Sequence, residues 1–179
     1  VENPLTGNKV PILPAKFVDP KNATGIVMSV PGHAPYDYIA LEDLKSARLR
    51  FSTFNLNLEV LKQITPISLI ALEGYSEFPA LDILEQFGAV DQLDTKLEEA
   101  TKKVYSQEFH MGRMKAITGK YAGMTVSEAR GKINEALLSE GKAIQVYTLV
   151  NRPVFCRCGA EIVVKILDDQ WFLDYGNIM

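Results

Sequence analysis

The chain has 179 residues, of which 47% are hydrophobic and 23% charged, a composition that suits one globular domain or one domain with an appended arm. No apolar run approaches the ~20 residues of a membrane-spanning helix and no signal-peptide pattern opens the chain, so we expect no membrane partner. Two cysteines exclude a disulfide framework and favour a reducing cytoplasm, and a net charge of -3 gives no general attraction for DNA or RNA.

The first third of the chain predicts two strands and a helix around one turn. Residues 10–18 alternate apolar residues with prolines, as an edge or bent strand does. Residues 25–30 are short, apolar and β-branched, and predict a buried strand. Pro31 to Pro35 breaks that strand, and Pro35 suits the first turn of a helix. Asp37 therefore falls in the first helical turn, just after a strand-to-helix bend.

The rest of the chain alternates strand and helix signals. Residues 67–72 predict a second buried strand, and residues 79–87 a short amphipathic helix ended by Gly88. A longer helix is predicted from about Asp94 to His110, with Met111 on its apolar stripe. Thr125-x-x-Glu128 is a capping box that begins a further helix. Strands are predicted at residues 144–149 and 162–167.

This alternation predicts an α/β fold whose sheet is mixed rather than purely parallel. The prolines of the first strand add a partly barrel-like character to the sheet, with helices around it. The first residues start close to a turn and the last follow an apolar run, so both ends read as cuts through a larger protein. We therefore expect a piece of a longer chain.

The segment from residue 24 to 37 is the best candidate for a site on local grounds. It places a hydroxyl, an imidazole and a carboxylate around a glycine that permits close approach, and two apolar side chains share one face of its strand. These candidates are Met28, Ser29, Val30, Gly32, His33 and Asp37. The alternative is structural: Asp37 complements a helix N-terminus and His33 is a turn residue. Spacing alone favours that alternative.

Two other clusters are weaker candidates. Cys156 and Cys158 resemble half of a zinc knuckle, but a structural zinc needs four ligands, so two reduced thiols in a tight turn is the favoured reading. The basic stretch of residues 102–120 includes Lys102, Lys103 and Arg113, which are candidate tRNA contacts. A solvated helix face is the blander alternative there. No phosphate-binding glycine loop, nucleophile elbow or H-E-x-x-H helix is present.

Two separated motifs resemble one family. Residues 22–38 (NATGIVMSVPGHAPYDY) resemble the segment of leucyl-tRNA synthetase editing domains that leads to an invariant aspartate. Residues 13–20 (LPAKFVDP) and the later CRCG and DQWFLDY runs are similar to the archaeal and eukaryotic branch of that family. The resemblance implies the editing-domain fold of class I synthetases. Residues 1–150 would be a partial editing domain, and residues 151–179 a β-rich return segment toward the catalytic core.

The resemblance also implies a function. Synthetases of this family ligate leucine to its tRNA with ATP and Mg bound in a catalytic core, and their editing domain hydrolyses mischarged aminoacyl-tRNA. Asp37 matches the aspartate that binds the α-amino group of the wrong amino acid. Met28 and Val30 match pocket-lining positions, Ser29 lies between them, and Gly32 and His33 lie where the terminal adenosine is received. The implied partners are the 3′ end of tRNA and the rest of the synthetase, with no cofactor in this chain.

Some family features are absent from the sequence. Neither the threonine-rich selectivity peptide nor the H-I-G-H and K-M-S-K-S signatures of the core occur. We therefore predict that the 179 residues fold but hydrolyse mischarged tRNA poorly or not at all. His33 is the only nearby side chain suited to a general base, and no base is assigned. Two alternatives stay open: an editing domain of a valyl- or isoleucyl-tRNA synthetase, or a non-catalytic tRNA-docking module built on residues 102–120.

Overall fold

The computed structural model describes residues 1–21, 24–46, 57–151, 153–171 and 176. Its helices are α1 (Pro35–Lys45), α2 (Leu58–Gln63), α3 (Pro79–Phe87), α4 (Lys96–Met111) and α5 (Val126–Ser139), with a 3₁₀ segment at Ala116–Tyr121. Two short strands, β1 (Ile70–Ala71) and β2 (Arg113–Met114), pair antiparallel.

The boundary signals that the sequence offered for α1, α3 and α5 are confirmed, whereas α2 was not predicted. Pro35 opens α1 and Pro79 opens α3, positions at which the missing proline N–H is not needed. Gly88 ends α3 in the left-handed region at φ 63°. The capping box of α5 is formed in both directions: the Glu128 carboxylate accepts the Thr125 N–H at 2.9 Å, and the Thr125 hydroxyl accepts the Glu128 N–H at 3.2 Å.

The core lies where α1, α3 and α4 meet. Each of these helices contributes one apolar stripe, and the stripes pack as two adjoining clusters made of Ile39, Leu84 and Leu97, and of Ile83, Ala100 and Val104. The predicted stripe of α4 is confirmed at Leu97, Ala100 and Val104. It is wrong at Met111, which stands at the last position of the helix and stays 59% exposed.

Most predicted strands do not form in the described part of the chain. Of the segments predicted as strands, residues 67–72 contain one, and the others contain none: 10–18, 25–30, 144–149 and 162–167. The prediction that residues 25–30 are buried is wrong, because Ile26, Val27 and Met28 are more than half exposed. A strand needs a second backbone that pairs with it over several residues. Among the described residues, and apart from the turn at Val30, these segments bond to another stretch of backbone only at Val10, which bonds to Val1, and at Ile162, which donates to Val154, so no ladder forms.

The chain divides into two compact units, Val1–Leu137 and Leu138–Met179. The first holds α1 to α4, both strands and most of α5. Within the described residues of the second unit, backbone pairing outside the end of α5 is limited to an isolated bridge between Phe155 and Glu161 around a turn. No helix in the described ranges has both the length and the apolar character that crossing a bilayer requires.

Candidate functional site

The carboxylate of Asp37 lies buried at the start of α1. Only 7% of the residue is exposed, and its Oδ2 accepts the backbone N–H of Val30 at 2.6 Å. Burial raises the pKa of Asp37, while hydrogen bonds from the Val30 N–H and the Ser29 side chain act in the lowering direction. In the described ranges no Lys, Arg or His forms an ion pair with Asp37. A buried carboxylate without a cation is suited to binding one.

The turn before α1 is closed by short backbone hydrogen bonds. The Val30 carbonyl accepts the N–H groups of His33 and Ala34, both at 2.9 Å. Gly32 is buried against the segment that leads into β1: a Cβ on this residue would lie 2.7 Å from the carbonyl oxygen of Ile67. The position therefore needs glycine for close approach, not for a left-handed backbone.

The ring of His33 is held inside the protein by both nitrogens. It is 3% exposed, its Nδ1 lies 2.5 Å from Oε1 of Glu108 on α4, and its Nε2 lies 2.8 Å from the backbone nitrogen of Leu69. Since the Leu69 N–H must donate, Nε2 accepts and Nδ1 carries the proton that is donated to Glu108. In this arrangement neither ring nitrogen is available to a substrate. The geometry thus favours a positioning role for His33, and its direct contact with substrate stays a prediction.

Sequence reasoning did not place Glu108 and Tyr105 in the site. Tyr105 lies one turn before Glu108 on α4, on the same face of the helix. Tyr105 is only partly covered, since 47% of the residue is exposed. This partial burial, followed by the negative charges of Asp37 and Glu108, raises the pKa of Tyr105 to about 12, so its phenol is neutral near pH 7. One sequence signal pointed to Glu108, because it is the single acid in the basic stretch of residues 102–120.

The predicted pocket wall before the turn is open. Met28 and Ser29 are exposed, and Val30 is partly buried. The Sδ of Met28 lies 4.0 Å from Nδ2 of Asn3, which is a weak hydrogen bond. These residues are therefore accessible beside Asp37, and their substrate contacts stay predictions.

Cys156 and Cys158 lie in a tight turn, as predicted. The Cys156 N–H donates to the Ala160 carbonyl and the Gly159 N–H donates to the Cys156 carbonyl, both at 2.8 Å. Hydrogen bonds from the backbone and side chain of Cys158 lower the pKa of the Cys156 thiol. In the part of the chain that the structure describes, no group of three or more His, Cys, Asp or Glu is arranged to hold a metal.

The three candidate tRNA contacts all have protein partners. Lys102 forms an ion pair with Glu98 at 2.9 Å, and Lys103 donates to Oε1 of Gln86 at 2.9 Å. Arg113 donates to the carbonyl of Gly123 at 3.2 Å. These exposed contacts are those of a solvated helix face and its neighbourhood, and a tRNA contact stays a prediction.

Relatives of known sequence decide the family. The chain is 48% identical over 177 residues to the leucine–tRNA ligase of Methanothermobacter thermautotrophicus, and 50% identical over 175 residues to that of Methanothrix thermoacetophila. The chain belongs to the leucyl-tRNA synthetase family. The leucine–tRNA ligase of Pyrococcus abyssi is 47% identical over 178 residues. Each match covers 98 to 99% of this chain, and the chain spans 18 to 19% of the length of these relatives. No protein-family model matches the chain.

Solved structures of the family show the fold. The structure of GlLeuRS-CP1 superposes with a TM-score of 0.66 at 25% identity, covering 78% of this chain and 53% of that one. The editing domain of the P. knowlesi cytosolic leucyl-tRNA synthetase gives a TM-score of 0.66 at 22% identity, covering 74% of this chain and 45% of that one. The fold is thus the α/β fold of leucyl-tRNA synthetase editing domains. Because the chain belongs to the leucyl-tRNA synthetase family, the alternative of a valyl- or isoleucyl-tRNA synthetase editing domain is excluded.

Proposed function

We propose that this chain forms part of the proofreading site of a leucyl-tRNA synthetase, where Asp37 binds the α-amino group of a wrongly attached amino acid. The observation that carries the proposal is a buried carboxylate that accepts the Val30 N–H at 2.6 Å and has no cationic partner within the described residues. The ammonium of an aminoacyl ester would supply the missing charge.

Holding the ammonium fixes the ester carbonyl next to it. Hydrolysis of the ester then needs a positioned water molecule. Correct positioning of the reactants alone supplies a large part of the rate acceleration in many enzymes. The need for such a site follows from selectivity: an apolar pocket distinguishes side chains that differ by a methyl group by only about 1–3 kcal/mol. A second, hydrolytic site then removes what the synthetic site let through.

Other residues of the site have supporting roles in this proposal. Met28, Ser29 and Val30 line the pocket for the misattached amino acid. The buried Gly32 and His33 shape the turn that receives the terminal adenosine of the tRNA. The exposure of Met28 and Ser29 beside Asp37 supports the first part. The burial of both His33 ring nitrogens makes its role one of shape rather than contact.

The remaining parts of the proposal concern the larger protein. Apolar residues 26–28 and 162–164 are exposed, as edges of a partly barrel-like sheet would be before the rest of the editing domain pairs with them. Residues 1–150 would belong to the editing domain and residues 151–179 to the return segment toward the core. The whole synthetase would use ATP and Mg in that core, ligate leucine to its tRNA and act in the cytoplasm. The mischarged 3′ end of tRNA and the rest of the synthetase are the partners.

The test is Asp37→Ala in the full-length synthetase that carries this sequence. We expect hydrolysis of leucine tRNA charged with isoleucine to be lost and mischarged tRNA to accumulate, with leucylation unchanged. Asp82→Ala is a matched control, because Asp82 also stands in the first turn of a helix and accepts a preceding backbone N–H, that of Ser76 at 2.5 Å.

The competing docking function predicts a different pattern. If the chain only docked tRNA, Asp37→Ala would leave mischarged tRNA at the wild-type level. Reversal of the charges at Lys102, Lys103 and Arg113 would instead weaken tRNA binding.

A further inference from the structure

The buried contact between His33 and Glu108 joins helix α4 to the turn of residues 30–34, which precedes Asp37. We propose that Glu108 and His33 form a positioning pair, which sets the place of the Asp37 carboxylate for the editing reaction. This inference rests on the proposed function of Asp37 and adds two residues that act through it. Glu108 is 75 residues away from His33 in sequence, and only 4% of it is exposed.

A continuous set of hydrogen bonds runs from Glu108 to Asp37. Oε1 of Glu108 accepts the Nδ1 proton of His33 at 2.5 Å. The backbone N–H of His33 donates to the carbonyl of Val30 at 2.9 Å, and the N–H of Val30 donates to Oδ2 of Asp37 at 2.6 Å. A shift of the His33 backbone would therefore act on Val30, which is one of the two donors that orient the carboxylate, the other being the Ser29 side chain.

The chemistry of the pair indicates a fixed geometry. Leu69 donates its N–H to Nε2 of His33 at 2.8 Å, so the tautomer with the proton on Nδ1 is the one that satisfies both neighbours. The bond to Glu108 is then charge-assisted and directional, which an apolar pair of the same volume would not be. Burial of Glu108 is unfavourable unless it is hydrogen-bonded, and His33 provides that hydrogen bond.

The same helix brings a second group to the site. Tyr105 lies one turn before Glu108 on the same face of α4 and feels the charges of both Asp37 and Glu108. The pKa of Tyr105 therefore depends on where α4 lies relative to the carboxylate of Asp37. A pair that fixes α4 to the turn would hold Tyr105 and Glu108 in a constant position relative to Asp37.

Variants at Glu108 separate positioning from mere burial. Glu108→Gln keeps an oxygen that accepts the His33 proton, whereas Glu108→Leu removes it and keeps the volume. In the full-length synthetase we expect Glu108→Leu to lower kcat for hydrolysis of leucine tRNA charged with isoleucine by roughly 10²-fold, the order of loss that a misplacement of about 1 Å produces. The KM for the charged tRNA should stay within about 3-fold, and Glu108→Gln should restore most of kcat.

A neighbouring hydrogen bond supplies the matched control. The Tyr75 hydroxyl bonds the side chain of Gln107, which is next to Glu108 on α4. The charge of Glu108 contributes to the raised pKa of Tyr75, but among the described residues no hydrogen bond joins Tyr75 to residues 30–37. Tyr75→Phe should lower the melting temperature of the chain without lowering kcat for editing. An equal loss of kcat in Tyr75→Phe and Glu108→Leu would overturn the proposal, because general destabilisation would then explain both.

Two substitutions of His33 keep the test decisive if Glu108→Leu does not fold. His33→Asn places an amide donor near the Nδ1 position and retains the bond to Glu108, whereas His33→Gln retains only an acceptor near the Nε2 position. The positioning pair requires His33→Asn to keep more editing activity than His33→Gln. Equal activities, or the reverse order, would overturn it.

Asp37→Ala, measured in the same assay, distinguishes failure of the positioning pair from failure of the proposed function of Asp37. Loss of editing in Asp37→Ala with normal editing in Glu108→Leu would refute the positioning pair and leave the proposed function standing. Normal editing in Asp37→Ala would refute the proposed function itself.

Discussion

Gly32 is the position where one added methyl group tests how the Asp37 turn is held. A Cβ on Gly32 would lie 2.7 Å from the carbonyl oxygen and 3.3 Å from the carbonyl carbon of Ile67, with Cδ1 of Phe78 at 3.4 Å. The nearest atoms are backbone, and the segment they belong to is fixed two residues later by the Leu69 N–H bond to His33. The clash therefore cannot be relieved by rotating a side chain.

The expected loss of stability is a difference of two terms. Overpacking of this kind destabilises by about 1–3 kcal/mol. Replacing glycine by alanine also reduces the entropy of the unfolded chain, which stabilises by about 0.4–1 kcal/mol. We expect Gly32→Ala to lose about 1–2 kcal/mol, a fall in melting temperature of roughly 2–8 °C for a chain of this size.

Thermal unfolding followed by circular dichroism measures the effect, with Gly131→Ala as the matched control. Gly131 lies within α5 and an added Cβ would meet nothing within 4 Å, so alanine there should stabilise by about 1 kcal/mol. A Gly32→Ala chain that melts at or above the wild-type temperature, with Gly131→Ala raised as expected, would falsify the packing of the turn against Ile67.

Three further predictions use the described hydrogen bonds and charges. Because burial raises the pKa of Asp37, its charged form is disfavoured in the folded chain, so stability should fall as pH rises from the unfolded pKa through the folded one. Asp37→Asn should escape this fall, and urea unfolding at pH 7 should show it to be more stable than the wild type. Burial and then the charges of Asp37 and Glu108 raise the pKa of Tyr105 to about 12, and the same variant removes the Asp37 charge. Ultraviolet titration against Tyr105→Phe should show that pKa lowered, and an unchanged Tyr105 pKa would count against their proximity. Thr125→Ala removes the cap of α5 and should lose about 1 kcal/mol. Since Thr125 also lowers the pKa of Glu128, this difference should shrink as pH falls through the Glu128 pKa, and a constant difference in acid would contradict the capping box.

The helices were predictable because their signals are local. Pro79 and Gly88 delimit α3 by the conformations that proline and glycine allow, and Thr125 and Glu128 start α5 by bonding to each other. The strands were not predictable in the same way, since a strand forms only where another backbone pairs with it. Ile70 pairs with Met114, 44 residues away, whereas the equally β-prone residues 25–30 have no partner among the described residues.

The site was predictable in part for the same reason. Asp37 follows from Pro35 and the helix it begins, so its place in the first turn could be read locally and is confirmed. The partner of His33 could not be predicted, because nothing in the sequence near residue 33 points to Glu108, which lies 75 residues later on another helix. Sequence reasoning therefore found Asp37 and His33 but missed Glu108, the partner that holds the His33 ring.

A comparison of two aspartates argues that the charge of Asp37 has a use beyond structure. Asp82 stands in the first turn of α3 and accepts both the N–H and the hydroxyl of Ser76, so its two oxygens are occupied by capping. Asp37 accepts the Val30 N–H and the Ser29 side chain in a buried place that raises its pKa, and an asparagine could accept the Val30 N–H there without burying a charge. What the carboxylate adds over an amide at residue 37 is its negative charge, which destabilises the folded chain on its own. A bound cation offsets that destabilisation, and the ammonium group of a mischarged aminoacyl ester is a cation that an editing site must hold.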